Sequence, residues 1–98
     1  MKKNCTNDLI DLADKLKSIG HSDRLLVLKL LYKERKTVKA IYDNLGLEQS
    51  VVSRHLSILR NVGIVAREQD GKKTYYRLRT EKKNVSMLSK CLRDFFAN

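Results

Sequence analysis

Proline and tryptophan are absent from this 98-residue chain, and glycine occurs only four times. So few glycines leave no Gly-rich loop to cradle a nucleotide phosphate and no flexible linker. The two cysteines, Cys5 and Cys91, lie near opposite ends. They form neither a Cys-x-x-Cys pair nor a disulfide framework, and two reduced thiols are the expectation for a cytosolic chain. With only two histidines beside them, the chain is short of the roughly four N or S ligands that zinc prefers. No apolar run approaches 18 residues, so no transmembrane helix is expected. The opening Met1-Lys2-Lys3-Asn4-Cys5 meets Asp8, Asp11 and Asp14 before any unbroken apolar region, which argues against a signal peptide and for a cytoplasmic location. Catalysis is not expected either. Ser53 and His55 are close in sequence, but i and i+2 point different ways on a helix.

Acidic residues are also scarce: 11 against 21 lysines and arginines, for a net charge of +10. That balance favours a polyanionic partner, nucleic acid first. The charge is spread along the chain, so any basic patch must be assembled by folding. The length predicts one domain over residues 1–98 with a modest core that oligomerisation would enlarge.

A first helix, capped by Thr6 or Asn4, is expected to run to Ile19 with an apolar stripe of Leu9, Ile10, Leu12, Ala13, Leu16 and Ile19. Ser22 is the expected N-cap of a second helix through Tyr32, apolar almost all round and therefore central. Lys33-Glu34-Arg35-Lys36 reads as a charged connection. Thr37 caps a third helix carrying Val38, Ile41 and Leu45, closed by Gly46. Only a tight turn separates it from a fourth helix that Gly63 ends, which is the helix-turn-helix pattern. Strands follow at residues 64–68 and 73–78 with Asp70-Gly71 as a two-residue turn. A last helix spans residues 81–96, with Val85, Leu88, Leu92 and Phe95 or Phe96 as its apolar line. The predicted order is ααααββα: a mainly α winged helix-turn-helix, with the basic hairpin as the wing.

The fourth helix has two faces. Val51, Val52, His55, Leu56, Ile58, Leu59 and Val62 share one side at 100° per residue. Gln49, Ser50, Ser53, Arg54 and Ser57 share the other. A solvated face usually carries Glu and Lys; these side chains instead suit base edges and phosphates. Lys72 and Lys73 sit at the predicted wing tip.

Three stretches together resemble the ArsR/SmtB family of bacterial winged-helix repressors, and the resemblance covers nearly the whole chain. They are Ile19-Gly20-His21-Ser22-Asp23-Arg24-Leu25 with its continuation to Leu28, the turn and helix from Leu45-Gly46-Leu47 through Gln49-Ser50-Val51-Val52-Ser53-Arg54-His55-Leu56 to Leu59, and the wing Asp70-Gly71-Lys72-Lys73-Thr74-Tyr75-Tyr76-Arg77-Leu78. The resemblance implies a homodimer held by the first and last helices, bound to a pseudo-palindromic double-stranded DNA operator and released by an inducer. It implies DNA contacts by Gln49, Ser50, Ser53 and Arg54, with Arg54 suited to guanine and Gln49 to adenine. Ser57 and Arg60 are backbone candidates, and Lys72 and Lys73 wing-to-phosphate candidates.

Many members of that family sense metals through paired cysteines near the third helix or Asp and His on the last. Here residues 37–43 hold no Cys or His, and the last helix holds no His, so neither a metal nor another cofactor is expected. Some relatives use a cysteine pair as a redox switch. Cys5 and Cys91 are the candidates here, although those relatives place one cysteine on the second helix, where this chain has Lys29. The competing functional readings are a winged-helix module for RNA or protein and a nonspecific architectural DNA binder.

Overall fold

The structure is a computed structural model that describes residues 3–97. Its elements are α1 (Lys3–Ile19), α2 (Ser22–Leu31), β1 (Lys36–Thr37), α3 (Val38–Leu45), α4 (Gln49–Asn61), β2 (Val65–Asp70), β3 (Lys73–Leu78) and α5 (Lys83–Ala97). The winged helix-turn-helix architecture is as expected, with one strand more than the sequence pattern gave. Lys36 and Thr37 pair antiparallel with Tyr76 and Tyr75 on β3, so the sheet has three strands in the order β1-β3-β2. A two-residue strand is too short to show alternation, and the charged run before it disguised it.

Local capping explains the other departures. α1 is already helical at Lys3, so Asn4 and Thr6 fall within the helix rather than before it, and their side chains lie outside the described residues. His21, not Ser22, caps α2: its Nδ1 accepts the Asp23 N–H at 3.2 Å. An imidazole nitrogen does the work that a Ser, Thr or Asx oxygen does at most helix starts. Thr37 caps α3 as expected, its Oγ1 accepting the Ala40 N–H at 3.1 Å. α4 ends at Asn61, before Gly63. In the wing, Asp70 pairs with Lys73, so the two turn residues are Gly71 and Lys72 rather than Asp70 and Gly71. Gly71 takes φ 62°, the left-handed conformation that such a turn requires and that Lys72 is thereby spared.

Val27, Leu28 and Leu31 of α2 meet Ile41 of α3, Val52, Leu56 and Leu59 of α4, and Val85 and Leu92 of α5, over the sheet residues Val65 and Leu78. α2 is central but not covered all round, since Leu25 and Leu26 remain exposed. α1 is turned the other way from the expectation for a helix in a lone domain. Among its described side chains Lys15 and Ser18 are buried and Ile19 packs on the core, while Leu9, Ile10, Leu12 and Leu16 face solvent. Lys15 pairs with Asp11 one turn earlier, and Ser18 donates to the Lys15 carbonyl at 2.7 Å. Met87 and Phe95 of α5 are also exposed, whereas Phe96 packs on the core.

Candidate nucleic-acid interface

The turn between α3 and α4 sets the pose of the exposed helix. Gly46 adopts φ 65° and ψ 28° at the α3 C-cap, and both its N–H and that of Leu47 return to the Tyr42 carbonyl. This is the left-handed helix stop that glycine makes at low cost. Chain direction then changes within three residues, and α4 starts at Gln49.

On α4, every residue expected on the packing face is buried or half-buried. Gln49, Ser50, Ser53, Arg54, Ser57 and Arg60 are all exposed. Six of the eight sequence candidates thus lie on one helix face, with Asn61 added to it. Lys72 and Lys73 are exposed at the wing tip. The tip is ordered by Gln69, which accepts from Thr74 Oγ1 at 2.8 Å and donates to the Gly71 carbonyl at 2.9 Å.

A polar clamp holds the back of α4. His55 is buried at 3 % exposure, fully rather than partly. Arg24 of α2 donates from Nε to His55 Nδ1 at 3.2 Å and from its terminal nitrogen to the Ser18 carbonyl at 3.0 Å. One guanidinium therefore ties α1, α2 and α4 together. Because arginine can only donate, His55 Nδ1 must be unprotonated and the ring proton sits on Nε2, 3.7 Å from Asp23. Burial lowers the His55 pKa, helped by the neighbouring His21, Arg24 and Arg54, with Asp23 opposing them. The ring is neutral at pH 7.

His21, Asp23 and His55 bring ligand atoms within 4.8 Å of one another, a grouping the sequence did not reveal. The Arg24 hydrogen bond keeps the proton on His55 Nε2, the nitrogen that faces Asp23. A cation on Nε2 would move the ring proton to Nδ1 and so require Arg24 to release that nitrogen.

The wing carries a second network that sequence reasoning missed. Arg35, just before β1, donates to Glu68 at 2.8 Å and Asp70 at 2.7 Å and lies 4.0 Å from the Tyr75 ring centroid. Arg77 donates to the same Glu68 at 2.7 Å and to Glu81 at 2.9 Å. Glu81 also receives Arg79 at 3.1 Å, and the two arginines, Arg77 foremost, hold its carboxyl down to about 2. These bonds lace the outer wing face to the strand before α3 and to the approach of α5. Strand register would have placed Glu68, Asp70, Tyr75 and Arg77 on one face; nothing local showed that Arg35 joins them.

Cys91 is an exposed free thiol on α5 beside Leu25, Leu92, Phe95 and Phe96. The side chain of Cys5 lies outside the described residues. Among the described residues, no helix is long and apolar enough to cross a membrane.

An α3–turn–α4 unit with a polar, exposed second helix and a basic hairpin beside it defines a winged helix-turn-helix protein. The sequence profile of the bacterial regulatory protein ArsR family matches residues 21–67. The nodulation protein NolR of Rhizobium meliloti is 39 % identical over 61 residues, 62 % of this chain and 50 % of that protein. The biofilm growth-associated repressor of Xylella fastidiosa is 30 % identical over 79 residues, 81 % of this chain and 68 % of that protein. A crystal structure of the transcriptional repressor BigR from Xylella fastidiosa superposes with a TM-score of 0.82 at 28 % identity, covering 99 % of this chain and 94 % of that one. This chain belongs to the ArsR family of bacterial regulatory proteins. It spans about half the length of the first curated relatives it matches, 50 % and 57 %.

Proposed function

We propose that the chain is a one-domain, homodimeric, sequence-specific DNA-binding transcriptional regulator of the cytoplasm, acting as a repressor that an inducer releases. The observation that carries this reading is α4: its back is locked by Val52, His55, Leu56 and Leu59, and its front is a continuous exposed row of Gln49, Ser50, Ser53, Arg54 and Ser57. Rigid side chains on a rigid helix hold base-reading groups in register. Arg54 serves for bidentate contact to guanine and Gln49 for adenine. Ser50 and Ser53 reach bases or phosphates, Ser57 and Arg60 the backbone, and Lys72 and Lys73 phosphates beside the groove. The chemistry on offer is recognition, with no catalytic role.

The outward leucines of α1 support the dimer. Leu9, Ile10 and Leu16 are each more than half exposed, and Met87 and Phe95 on α5 are 58 % and 75 % exposed. Exposed apolar side chains in this number on two helices of a small protein mark association surfaces. Two-fold pairing through α1 and α5 would set two α4 helices one helical turn apart along a duplex. Relatives named as repressors in the same family agree with the reading.

The test is a selection from genomic fragments followed by anisotropy titration. The account expects a selected duplex with an inverted repeat to bind at least 10³-fold tighter than random duplex, the lower end for specific regulators. Equal affinity for all duplexes would leave the architectural reading, and preference for RNA would leave the RNA-binding module.

A further inference from the structure

The wing hairpin is electrostatically two-sided. Its register puts Ala66, Glu68, Asp70, Lys73, Tyr75 and Arg77 on one face and Val65, Arg67, Gln69, Thr74, Tyr76 and Leu78 on the other. All the hairpin's carboxylates lie on the first face, where Arg35 and Arg77 neutralise them. The second face has a cation and no anion. It turns toward α4, since Val65 and Leu78 on it are buried in the core.

Between this face and the end of α4 lies a cavity of about 500 Å³ lined by Arg60, Arg67, Arg79, Gln69 and Thr74 over Val65 and Ala66. Three arginines line it, from α4, from β2 and from the position after β3. Arg79 is paired through Nε with Glu81. Arg60 and Arg67 are exposed and enter none of the described ion pairs. With Glu81 answering only Arg79, Arg60 and Arg67 leave an excess of positive charge beside the cavity that an incoming anion offsets. The planar fork of arginine matches the two free oxygens of a phosphodiester.

We propose that this cavity is a phosphate site, formed by Arg60, Arg67 and Arg79, that seats a sugar-phosphate strand of duplex DNA between the recognition helix and the wing. The proposal rests on the DNA-binding reading above and adds Arg67 and Arg79 to it. Position favours a polymer backbone over a free small anion. At 100° per residue Arg60 lies within about 20° of Gln49 and Ser53 on α4, so the cavity continues the exposed face toward the wing. Arg60, Arg67 and Gln69 at the rim are exposed, so a strand can pass through the saddle.

The experiment is the salt dependence of binding to selected and random duplex between 50 and 200 mM salt, for the full chain and its Arg67→Gln, Arg79→Gln and double variants. Each lost phosphate contact lowers the slope of log K against log salt by about 0.9, hence about 1.8 per substitution in a dimer. The selected-to-random affinity ratio stays within about two-fold, because phosphates carry no sequence information. Arg67→Lys and Arg79→Lys retain most of the slope, which separates lost charge from lost structure. Wild-type slope in the double variant overturns the site while leaving the DNA-binding reading intact. A second arm titrates the protein with inorganic phosphate alone and follows the arginine Nε–H resonances. Shifts at Arg67 and Arg79 saturating at low millimolar phosphate, with the duplex slope unchanged, would reassign the cavity to a small oxyanion and overturn the backbone assignment. Absence of any duplex binding by the wild-type chain would instead sink the functional reading and this proposal with it.

Discussion

Lowering the pH from 7.5 to 5 should destabilise the folded chain through His55. The ring is buried, its Nδ1 is engaged by Arg24, and the neighbouring His21, Arg24 and Arg54 act in the same direction as burial, with Asp23 the opposing group. Its folded pKa therefore lies below the ordinary 6.5. In the window below 6.5 the unfolded chain takes up a proton that the folded chain refuses. Stability is complete above 6.5 and declines as pH falls toward the folded value. One proton sets the limit: the slope reaches at most about 1.4 kcal/mol per pH unit. The lowered carboxylates Glu68 and Glu81 start from 4.5, so the interval between 6.5 and 4.5 lies above their titration, and the His55→Gln control assigns the limb to His55. Urea denaturation at fixed protein concentration reads the effect, since a dimer makes apparent stability concentration-dependent. His55→Gln is the control: its carbonyl accepts from Arg24 and its amide donates toward Asp23. That variant should be flat over the window to within about 0.5 kcal/mol, about the scatter of an independent small effect. An unchanged acid limb in His55→Gln would refute the assignment.

Arg54→Ala should erase discrimination at one base position per half-site, about 1–3 kcal/mol by competition titration, and leave thermal stability unchanged because the side chain is exposed. Gly46→Ala forces a β-carbon into φ 65° with open space around it, so the cost is conformational strain of about 1–2 kcal/mol in chemical denaturation. Leu16→Asp on α1 should leave the helical circular-dichroism signal intact and convert the sedimenting species to a monomer. Glu81→Gln should remove an acid limb between pH 4.5 and 2: the folded carboxyl is depressed to about 2, so its contribution is present above 4.5 and lost on the way down.

Periodicity and capping residues placed the helix-turn-helix, because α4 has two chemically distinct faces and Thr37 and Gly46 are strong start and stop signals for α3. Features that depend on distant residues escaped it. The pairing of Lys36 and Thr37 with β3 needs a partner about 40 residues away and leaves no local pattern. The His21 cap escaped because Ser22 is the commoner capping residue. The α1 leucines were correctly read as a stripe, but only the fold shows that Lys15 and Ser18 turn inward beneath them. For the candidate site, exposure of all eight proposed contacts was legible. The segregation of charge across the wing was hidden until the register fixed which residues share a face with Arg67.

Spacing on the duplex tests the central claim most directly, because paired helices on a rigid scaffold must meet two grooves at once. Anisotropy titration should compare a selected inverted-repeat duplex with versions carrying five or ten extra base pairs between half-sites. The account predicts that five extra base pairs, which rotate one half-site to the opposite side of the helix, reduce affinity to that of random duplex. Affinity unchanged by the half-turn insertion would contradict it.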